Sequence, residues 1–438
     1  MNISQLNKVN YQEVMLKVVL FLFFFTPFLS LLMYSATDMK LVAALPALLR
    51  DMLVFSFVIF GVIYKFFLDK KVNITILFFF LLLTSISISI LAIEFDTVTF
   101  DEFVRVVANN IRRFIFPFLV FYFFLFYFKF KNIDLLAKFI TAFWIFGIFE
   151  WLMPLAFWEK MGLLEYWNEY ANSVSSTGNT HDQLQGYPRL FTFDTYYLIG
   201  QKSRRLISFY IEPTTTAALA QASVIFGLLF KRKAIVWLAT IAGFLTYSKG
   251  FIIFFILLTP ILILYKYASL RLLKFYCNTI AFLLFGMLFA GFFIFLAFPQ
   301  IVQFGLFAHL EGLYEFFIHF NILGYGIGNV GSFRFDSMWG GVFHRVGVES
   351  SLANLISQLG LMGFISIYGL FVFFLNRVIT KKESVYVYFG VILYVFVYST
   401  SNSSTGYSGN FLIYLLVVIV YKYSSLGSSD SKKGAVNG

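Results

Sequence analysis

The chain is poor in charged residues and in cysteine, and both shortages limit what it can be. Only 13% of its 438 residues are charged, whereas 60% are hydrophobic and 21% are aromatic. Soluble domains carry about 25% charged residues, so this composition excludes a cytosolic enzyme and a secreted binding module. Cys277 is the single cysteine, which excludes an intramolecular disulfide. The composition predicts a protein that crosses the membrane many times.

Several motifs that carry chemistry are missing from the sequence. There is no GxxxxGK[ST] loop for ATP phosphates, and there is no Asp-x-Asp pair of the kind that holds the metal of a nucleotide-sugar donor. No histidines or cysteines have the spacing of zinc ligands. The series Gly326-x-Gly328-x-x-Gly331 has the spacing of a dinucleotide fingerprint, but no strand precedes it, so we interpret it as a tight turn with close backbone approach. We expect neither a metal nor a cofactor.

The long apolar runs predict an all-α fold with about twelve transmembrane helices. The predicted spans lie near residues 14–34, 52–67, 72–93, 113–130, 135–157, 213–230, 234–247, 250–265, 272–298, 352–375, 384–398 and 407–421. Together they predict one transmembrane domain over residues 1–423. The remaining residues, 424–438, are rich in Ser, Gly and Lys and are predicted to form a disordered cytoplasmic tail.

The basic residues predict the orientation of these spans. With the N-terminus in the cytoplasm, the inner segments hold 20 of the 33 basic residues but only five of the 22 carboxylates. Short inner loops rich in Lys and Arg follow the positive-inside rule. The net charge of +11 therefore indicates topology, with both termini cytoplasmic, and we expect no nucleic-acid partner.

Two long segments on the predicted outer side, 158–212 and 299–351, contrast with the short inner loops. All four histidines of the chain lie within them: His181, His309, His319 and His344. Polar loops presented on a rigid scaffold are where binding and catalytic groups are concentrated. We therefore expect the functional residues in these two extracytoplasmic loops.

The few basic residues on the outer side are exceptions to the positive-inside rule. Arg204 and Arg205 precede the sixth span, and Lys249 lies in the short turn LTYSKGF at 245–251. Their guanidinium and ammonium groups suit a lipid-linked phosphate or diphosphate at headgroup level. The alternative is that they anchor span ends at anionic headgroups. Glu212, directly before Pro213, favours a helix start over a catalytic role.

A second group of polar residues lies in and after the segment AHLEGLYEFFIHF at 308–320. His309 is near the start of this segment, and His344, Arg345 and Glu349 come just before the tenth span. A histidine or carboxylate at a dry boundary beside a cation can have its pKa tuned for general-base work. The alternative is that these are ordinary polar loop residues.

The ordered motifs between about residues 200 and 375 resemble the bacterial O-antigen polymerase and ligase superfamily. The segments that carry the resemblance are RLISFYIEPTTTAAL at 205–219, LTYSKG at 245–250, AHLEGL and GYGIGNVG within 308–331, and VESSLANLISQLGLMG at 348–363. The resemblance implies a GT-C-like glycosyltransferase architecture in the bacterial inner membrane. It also implies undecaprenyl-diphosphate-linked glycans as substrates at the periplasmic face, without nucleotide sugars or ATP.

Two departures from the ligase pattern make a polymerase the favoured member of this superfamily. Glu349 stands where ligases have a histidine, and His309 stands at the position of a family arginine. The resemblance thus implies transfer of a growing glycan from undecaprenyl diphosphate to the non-reducing-end sugar of another lipid-linked unit. The alternatives are a ligase that transfers polysaccharide to lipid A core, or a flippase for lipid-linked oligosaccharide. Charges concentrated at span ends and not along span middles favour chemistry at one face over transport.

The resemblance assigns expected roles to the polar residues of the outer loops. The expected base is Glu349, with His309 and His344 as its reserves. The expected diphosphate ligands are Arg205, Arg204 and Lys249. Further substrate contacts are expected from Arg189, which fits an Arg-x10-Gly spacing with Gly200, and from Glu212 and Arg345. The expected partners are the lipid-linked donor and acceptor, membrane lipids and a chain-length regulator protein.

Overall fold

The computed structural model describes residues 3–69, 74–93, 98–153, 155–163, 165–166, 192–194, 202–210, 213–298, 314, 317–318, 321–328, 351–379, 381–398 and 411–422. These residues are almost entirely helical. The predicted tail 424–438 and most of the two predicted long loops lie outside them.

The helices are numbered here in chain order. They are α1 (Ile3–Thr37), α2 (Lys40–Asp69), α3 (Ile74–Leu91), α4 (Phe100–Tyr127), α5 (Ile133–Leu152), α6 (Leu155–Lys160), α7 (Pro213–Leu229), α8 (Lys233–Leu245), α9 (Lys249–Tyr265), α10 (Leu270–Ala297), α11 (Ser351–Val378), α12 (Ser384–Leu393) and α13 (Phe411–Lys422). Short 3₁₀ turns occupy Phe130–Asn132 and Ser208–Tyr210, and a π-turn over Tyr394–Tyr398 continues α12.

Six helices of the described chain are long and apolar enough to cross a membrane. Their apolar parts are Tyr11–Thr37, Leu41–Val62, Phe100–Tyr127, Phe130–Leu152, Leu270–Ala297 and Ser351–Phe374. Six further apolar helices are shorter, with 10–17 residues. Each of the twelve predicted spans overlaps one of these helices, so the helical character of the chain is confirmed. The number of membrane crossings and the GT-C-like architecture remain predictions.

Two helices begin well before the spans predicted from hydropathy. The helix α2 begins at Lys40 and not near residue 52, and α4 begins at Phe100 and not near residue 113. The added turns contain charged residues, which lower the hydropathy but do not interrupt a helix whose backbone hydrogen bonds are internal. In α4 the first turn carries Asp101 and Glu102, where carboxylates complement the helix dipole.

The described residues also include a short β pairing, which is too small to change the all-α class. The strands β1 (Thr192–Asp194) and β2 (Lys202–Arg204) are antiparallel, with Thr192 opposite Arg204. Both strands lie in the predicted first long loop. Strands of three residues are too short to show an alternating apolar pattern, so hydrophobic periodicity does not predict them.

The chain divides into two compact units, each of which is described by itself. The first unit is Met1–Lys70, Leu119–Ile253 and Ser408–Ile419, and the second is Lys71–Phe118, Phe254–Tyr407 and Val420–Gly438. An aromatic cluster forms the core of the first unit, in which Phe24 meets Phe411 edge-on with ring centroids 5.0 Å apart. In the second unit, α3 packs along α11. Ring pairs of this kind add about 0.5–1.5 kcal/mol each to the stability gained by burial alone.

Candidate functional site

The segment 205–210, which precedes α7, is packed inside the first unit. All residues of this segment from Leu206 to Tyr210 are buried. The ring of Phe209 stacks on Phe146 with centroids 3.7 Å apart, and the hydroxyl of Tyr210 donates to the carbonyl oxygen of Phe23 at 3.3 Å. The segment is therefore fixed between α1 and α5.

A buried carboxylate on α5 holds the middle of this segment. Glu150 is 0% exposed, and its Oε2 accepts the backbone N–H of Ser208 at 3.0 Å while its Oε1 accepts the indole N–H of Trp158 at 2.9 Å. Ser208 has φ +49°, a left-handed conformation that residues other than glycine adopt rarely. A Cβ on Gly147 would lie 2.8 Å from the Ser208 hydroxyl oxygen. The helix α5 thus provides both the acceptor and the space for this unusual backbone.

Sequence reasoning missed Glu150, although a signal was present. It is the single acidic residue in the apolar stretch FWIFGIFEWL at 143–152. Ionisable residues inside apolar helices are expensive to bury and usually have a specific partner or function. Its place close to the end of the predicted span 135–157 groups Glu150 with the carboxylates near span ends.

The structure brings together the two motifs predicted to bind a diphosphate. The backbone N–H of Leu206 donates to the carbonyl oxygen of Leu245 at 2.8 Å. The Nε–H of Arg205 donates to the carbonyl oxygen of Thr246 at 2.8 Å. The half-buried guanidinium of Arg205 is therefore held against the turn 245–250, which contains Lys249.

This turn is itself braced by hydrogen bonds. The hydroxyl of Thr246 donates to the carbonyl oxygen of Gly243 at 2.6 Å, and the side-chain amide of Gln221 donates to the carbonyl oxygen of Gly250 at 3.0 Å. Tyr247 has φ +50°, which closes the turn. Lys249 is the first residue of α9 and is exposed. Its ammonium group and the positive end of the helix dipole both favour an anion at this turn.

A second buried charge in the first unit was not predicted. The Arg50 side chain is 3% exposed, and its Nε and Nη2 donate to Oδ1 of Asp51 at 2.9 and 2.8 Å. The guanidinium carbon lies 5.5 Å from the centroid of the Phe23 ring, a distance at which a cation is attracted to the ring face. The same Phe23 accepts the Tyr210 hydroxyl through its carbonyl oxygen. The ion pair is therefore next to the segment 205–210.

The second unit contains the glycine turn that the sequence predicted. The backbone N–H groups of Tyr325 and Gly328 donate to the Ser357 carbonyl oxygen at 2.7 Å and to Oε1 of Gln358 at 3.1 Å. Gly324 has φ +79°, and a Cβ there would lie 2.6 Å from the Gln358 carbonyl oxygen. The predicted tight turn is thus confirmed over residues 324–328, with the close backbone approach at Gly324, whereas Gly331 lies outside the described residues. Burial raises the pKa of the Tyr325 phenol.

This turn docks where α11 is broken. Gly360 has φ +65° and ψ −163°, which are not helical values, so the carbonyl groups just before it lose their helical donors. The hydroxyls of Ser89 and Ser85 on α3 replace two of them, donating to the carbonyl oxygens of Gln358 and Leu359 at 2.9 and 2.7 Å. Buried backbone carbonyls need such partners. The break is therefore a fixed feature of the second unit.

One more predicted site residue, Arg204, belongs to a described strand. Arg204 ends β2 opposite Thr192. The following predicted residues lie outside the described part of the chain: Arg189, Glu212, His309, His344, Arg345 and Glu349. Among the residues that the structure describes, no three His, Cys, Asp or Glu side chains are grouped as a metal would require. In comparisons with known proteins, no family model matches this chain and no curated protein matches it significantly.

Proposed function

We propose that the protein is a membrane glycosyltransferase that polymerises lipid-linked repeat units. It transfers the growing glycan from undecaprenyl diphosphate to the non-reducing-end sugar of another such unit at the periplasmic face of the bacterial inner membrane. The observation that carries this proposal is the contact of Arg205 with the turn 245–250. It joins the two cationic motifs that the sequence singled out, although 41 positions separate Arg205 from Thr246.

The contact suits a diphosphate leaving group. A guanidinium fork matches the oxygens of a phosphate, and an ammonium adds a mobile point charge. Negative charge grows on the diphosphate as its bond to the sugar breaks, and donors fixed in advance stabilise that charge most. The hydrogen bond from Arg205 to Thr246 fixes one of these donors. The apolar helices are compatible with a substrate whose polyprenyl chain lies in the membrane.

The proposed transfer is a displacement at the anomeric carbon. Glu349 takes the proton of the acceptor hydroxyl, the acceptor oxygen bonds to the anomeric carbon, and the diphosphate leaves with the electron pair of the broken C–O bond. Arg205 and Lys249, with Arg204, bind the departing diphosphate. His309 and His344 are the alternative bases, and the proposed further substrate contacts are Arg189, Glu212 and Arg345. Chain length is set by a separate regulator protein.

Transport of the same lipid-linked glycan is the second candidate function. It is favoured by the ion pair of Arg50 and Asp51, which is largely buried within the apolar helix α2. Transporters place polar groups along the middle of their helices, whereas a polymerase has no evident need for them there. A ligase is the third candidate, because it would use the same diphosphate site with lipid A core as the acceptor.

The decisive experiment supplies the purified protein with undecaprenyl-diphosphate repeat units alone and separates the products on a gel. A ladder of lengthening lipid-linked glycan is the expected result. Transfer that begins only after lipid A core and preformed polymer are added would identify a ligase. If neither assay gives a product and the reconstituted protein moves the lipid across a vesicle bilayer, the protein is a transporter.

The variants Arg205→Ala and Glu349→Gln test the proposed residues in the same assay. Each is expected to insert normally and to slow polymerisation about 10²- to 10³-fold, the cost of removing one fixed donor or the base from a transition state. Lys233→Ala, an exposed lysine at the start of α8, is the charge-matched control and is expected to polymerise normally. Full-length ladders from both site variants at normal expression would contradict the assignment.

A further inference from the structure

The helix α11 carries two buried polar side chains that have no hydrogen-bond partner in the part of the chain that the structure describes. Asn354 is 0% exposed, and neither its Oδ1 nor its Nδ2 is hydrogen-bonded. Ser357 is also 0% exposed, and its Oγ is likewise without a partner. The two residues are three positions apart in a helix and so lie on the same face. Three adjacent polar atoms on that face are therefore unsatisfied.

These unsatisfied polar atoms lower the stability of the protein when no ligand is bound. Each unsatisfied buried polar group costs about 1–3 kcal/mol, and native proteins satisfy at least about 90% of them. The surrounding backbone is not free to adapt. One turn further along, Gln358 binds the glycine turn through its side chain and Ser89 through its carbonyl oxygen. Because no described residue satisfies these atoms, a bound ligand is a means of satisfying them.

We infer that Asn354 and Ser357 bind hydroxyl groups of the acceptor glycan. A carboxamide offers both donors and an acceptor, and a serine hydroxyl offers both as well. Sugar hydroxyls also donate and accept, so neighbouring hydroxyls on one ring fit such a pair. A phosphate offers acceptors only and would leave Oδ1 unsatisfied, and neither side chain carries a charge to balance it. The chemistry therefore selects a neutral polyol.

The position of the pair agrees with this role. The helix α11 begins at Ser351, so Asn354 lies about 4.5 Å along the helix from its start. Glu349, the proposed base, precedes Asn354 by five positions in the sequence. The identity of the glycan as an acceptor rests on the proposed function. The unsatisfied side-chain atoms of Asn354 and Ser357 do not depend on it.

Stability separates a ligand-binding role from a structural one. Because the Asn354 and Ser357 side chains have no hydrogen-bond partner among the described residues, replacing them breaks no side-chain hydrogen bond there. The changes Asn354→Leu, which keeps the branched shape, and Ser357→Ala are expected to leave the melting temperature unchanged or raised. Ser89→Ala is the matched control. It removes a hydroxyl that does bond, to the Gln358 carbonyl oxygen, and is expected to lower the melting temperature.

The test measures melting temperature and glycan binding on the full chain in lipid nanodiscs. The probe is the free oligosaccharide released by mild acid from the undecaprenyl-diphosphate repeat units of the source cells. The wild type is expected to bind it, and each of the two variants is expected to bind about tenfold more weakly at an undiminished melting temperature. Wild-type affinity in both variants, melting temperatures as low as that of Ser89→Ala, or no binding by the wild type would each overturn the inference.

The ladder assay on the same preparations separates this inference from the proposed function. If the wild type polymerises and Asn354→Leu does so with an unchanged KM for repeat units, the glycan site is wrong and the polymerase stands. If no ladder forms but binding still depends on Asn354, the polymerase is wrong and the glycan site stands.

Discussion

Glu150→Ala is expected to lower the free energy of unfolding by about 2–6 kcal/mol, because two buried donors lose their acceptor at once at about 1–3 kcal/mol each. These donors are the indole N–H of Trp158 and the backbone N–H of Ser208, and Trp158 and Ser208 are both 0% exposed. Thermal or denaturant unfolding of the purified protein in detergent measures the loss. The segment 205–210 should become susceptible to proteolysis at the same time.

Glu150→Gln tests the hydrogen bonds of Glu150 more directly, because it preserves the shape of the side chain. Trp158 and Ser208 both donate to Glu150, and a carboxylate can accept from both. An amide presents one oxygen and one NH₂ group, so one donor would face another. We expect a loss of about 1–3 kcal/mol. We also expect weaker polymerisation, because Arg205 lies at the start of the segment that Glu150 holds.

The control for Glu150 is Glu159→Gln on α6. Glu159 is exposed, so the same change of atoms is expected to leave stability within about 0.5 kcal/mol of the wild type. If Glu150→Gln were as stable and active as Glu159→Gln, the hydrogen bonds from Trp158 and Ser208 to Glu150 would not position the segment 205–210.

Gly360→Ala is expected to destabilise the second unit by about 2–6 kcal/mol. A Cβ at this position would lie 2.3 Å from the carbonyl oxygen of Ile322, and the backbone has φ +65°. Forcing another residue into such a conformation costs about 1–3 kcal/mol, and overpacking a site adds about 1–3 kcal/mol more. Gly324→Ala should behave alike, since its Cβ would lie 2.6 Å from the Gly360 backbone nitrogen. Unfolding midpoints of the purified variants provide the measurement.

Gly286→Ala is the matched control for both changes. Gly286 lies in the regular helix α10, and a Cβ there would meet nothing within 4 Å. Alanine is the better helix former by about 1 kcal/mol, so this variant should be as stable as the wild type or more so. Equal stability of Gly360→Ala and Gly286→Ala would show that the glycine turn does not need its close contact with α11.

The sequence by itself determined where the helices lie and where one turn would be. Length and apolar character define a helix locally, so each of the twelve predicted spans overlaps a helix of the structure. The glycines of the turn 324–328 are likewise a local signal, because a positive φ favours a residue without a Cβ. The helix starts at Lys40 and Phe100 were missed because charged residues lower hydropathy without ending a helix.

The tertiary structure alone decided which of these parts meet. The sequence selected Arg205 and the turn at Lys249 as exceptional cations, but their contact is a hydrogen bond across 41 positions. The hydrogen bond between Glu150 and Ser208 spans 58 positions, and that between Ser85 and Leu359 spans 274. A residue's own neighbours set its helical or turn conformation, whereas such pairs depend on how whole helices pack. The helices could therefore be predicted from local composition, while the partners of Glu150, Arg205 and Gly360 could not.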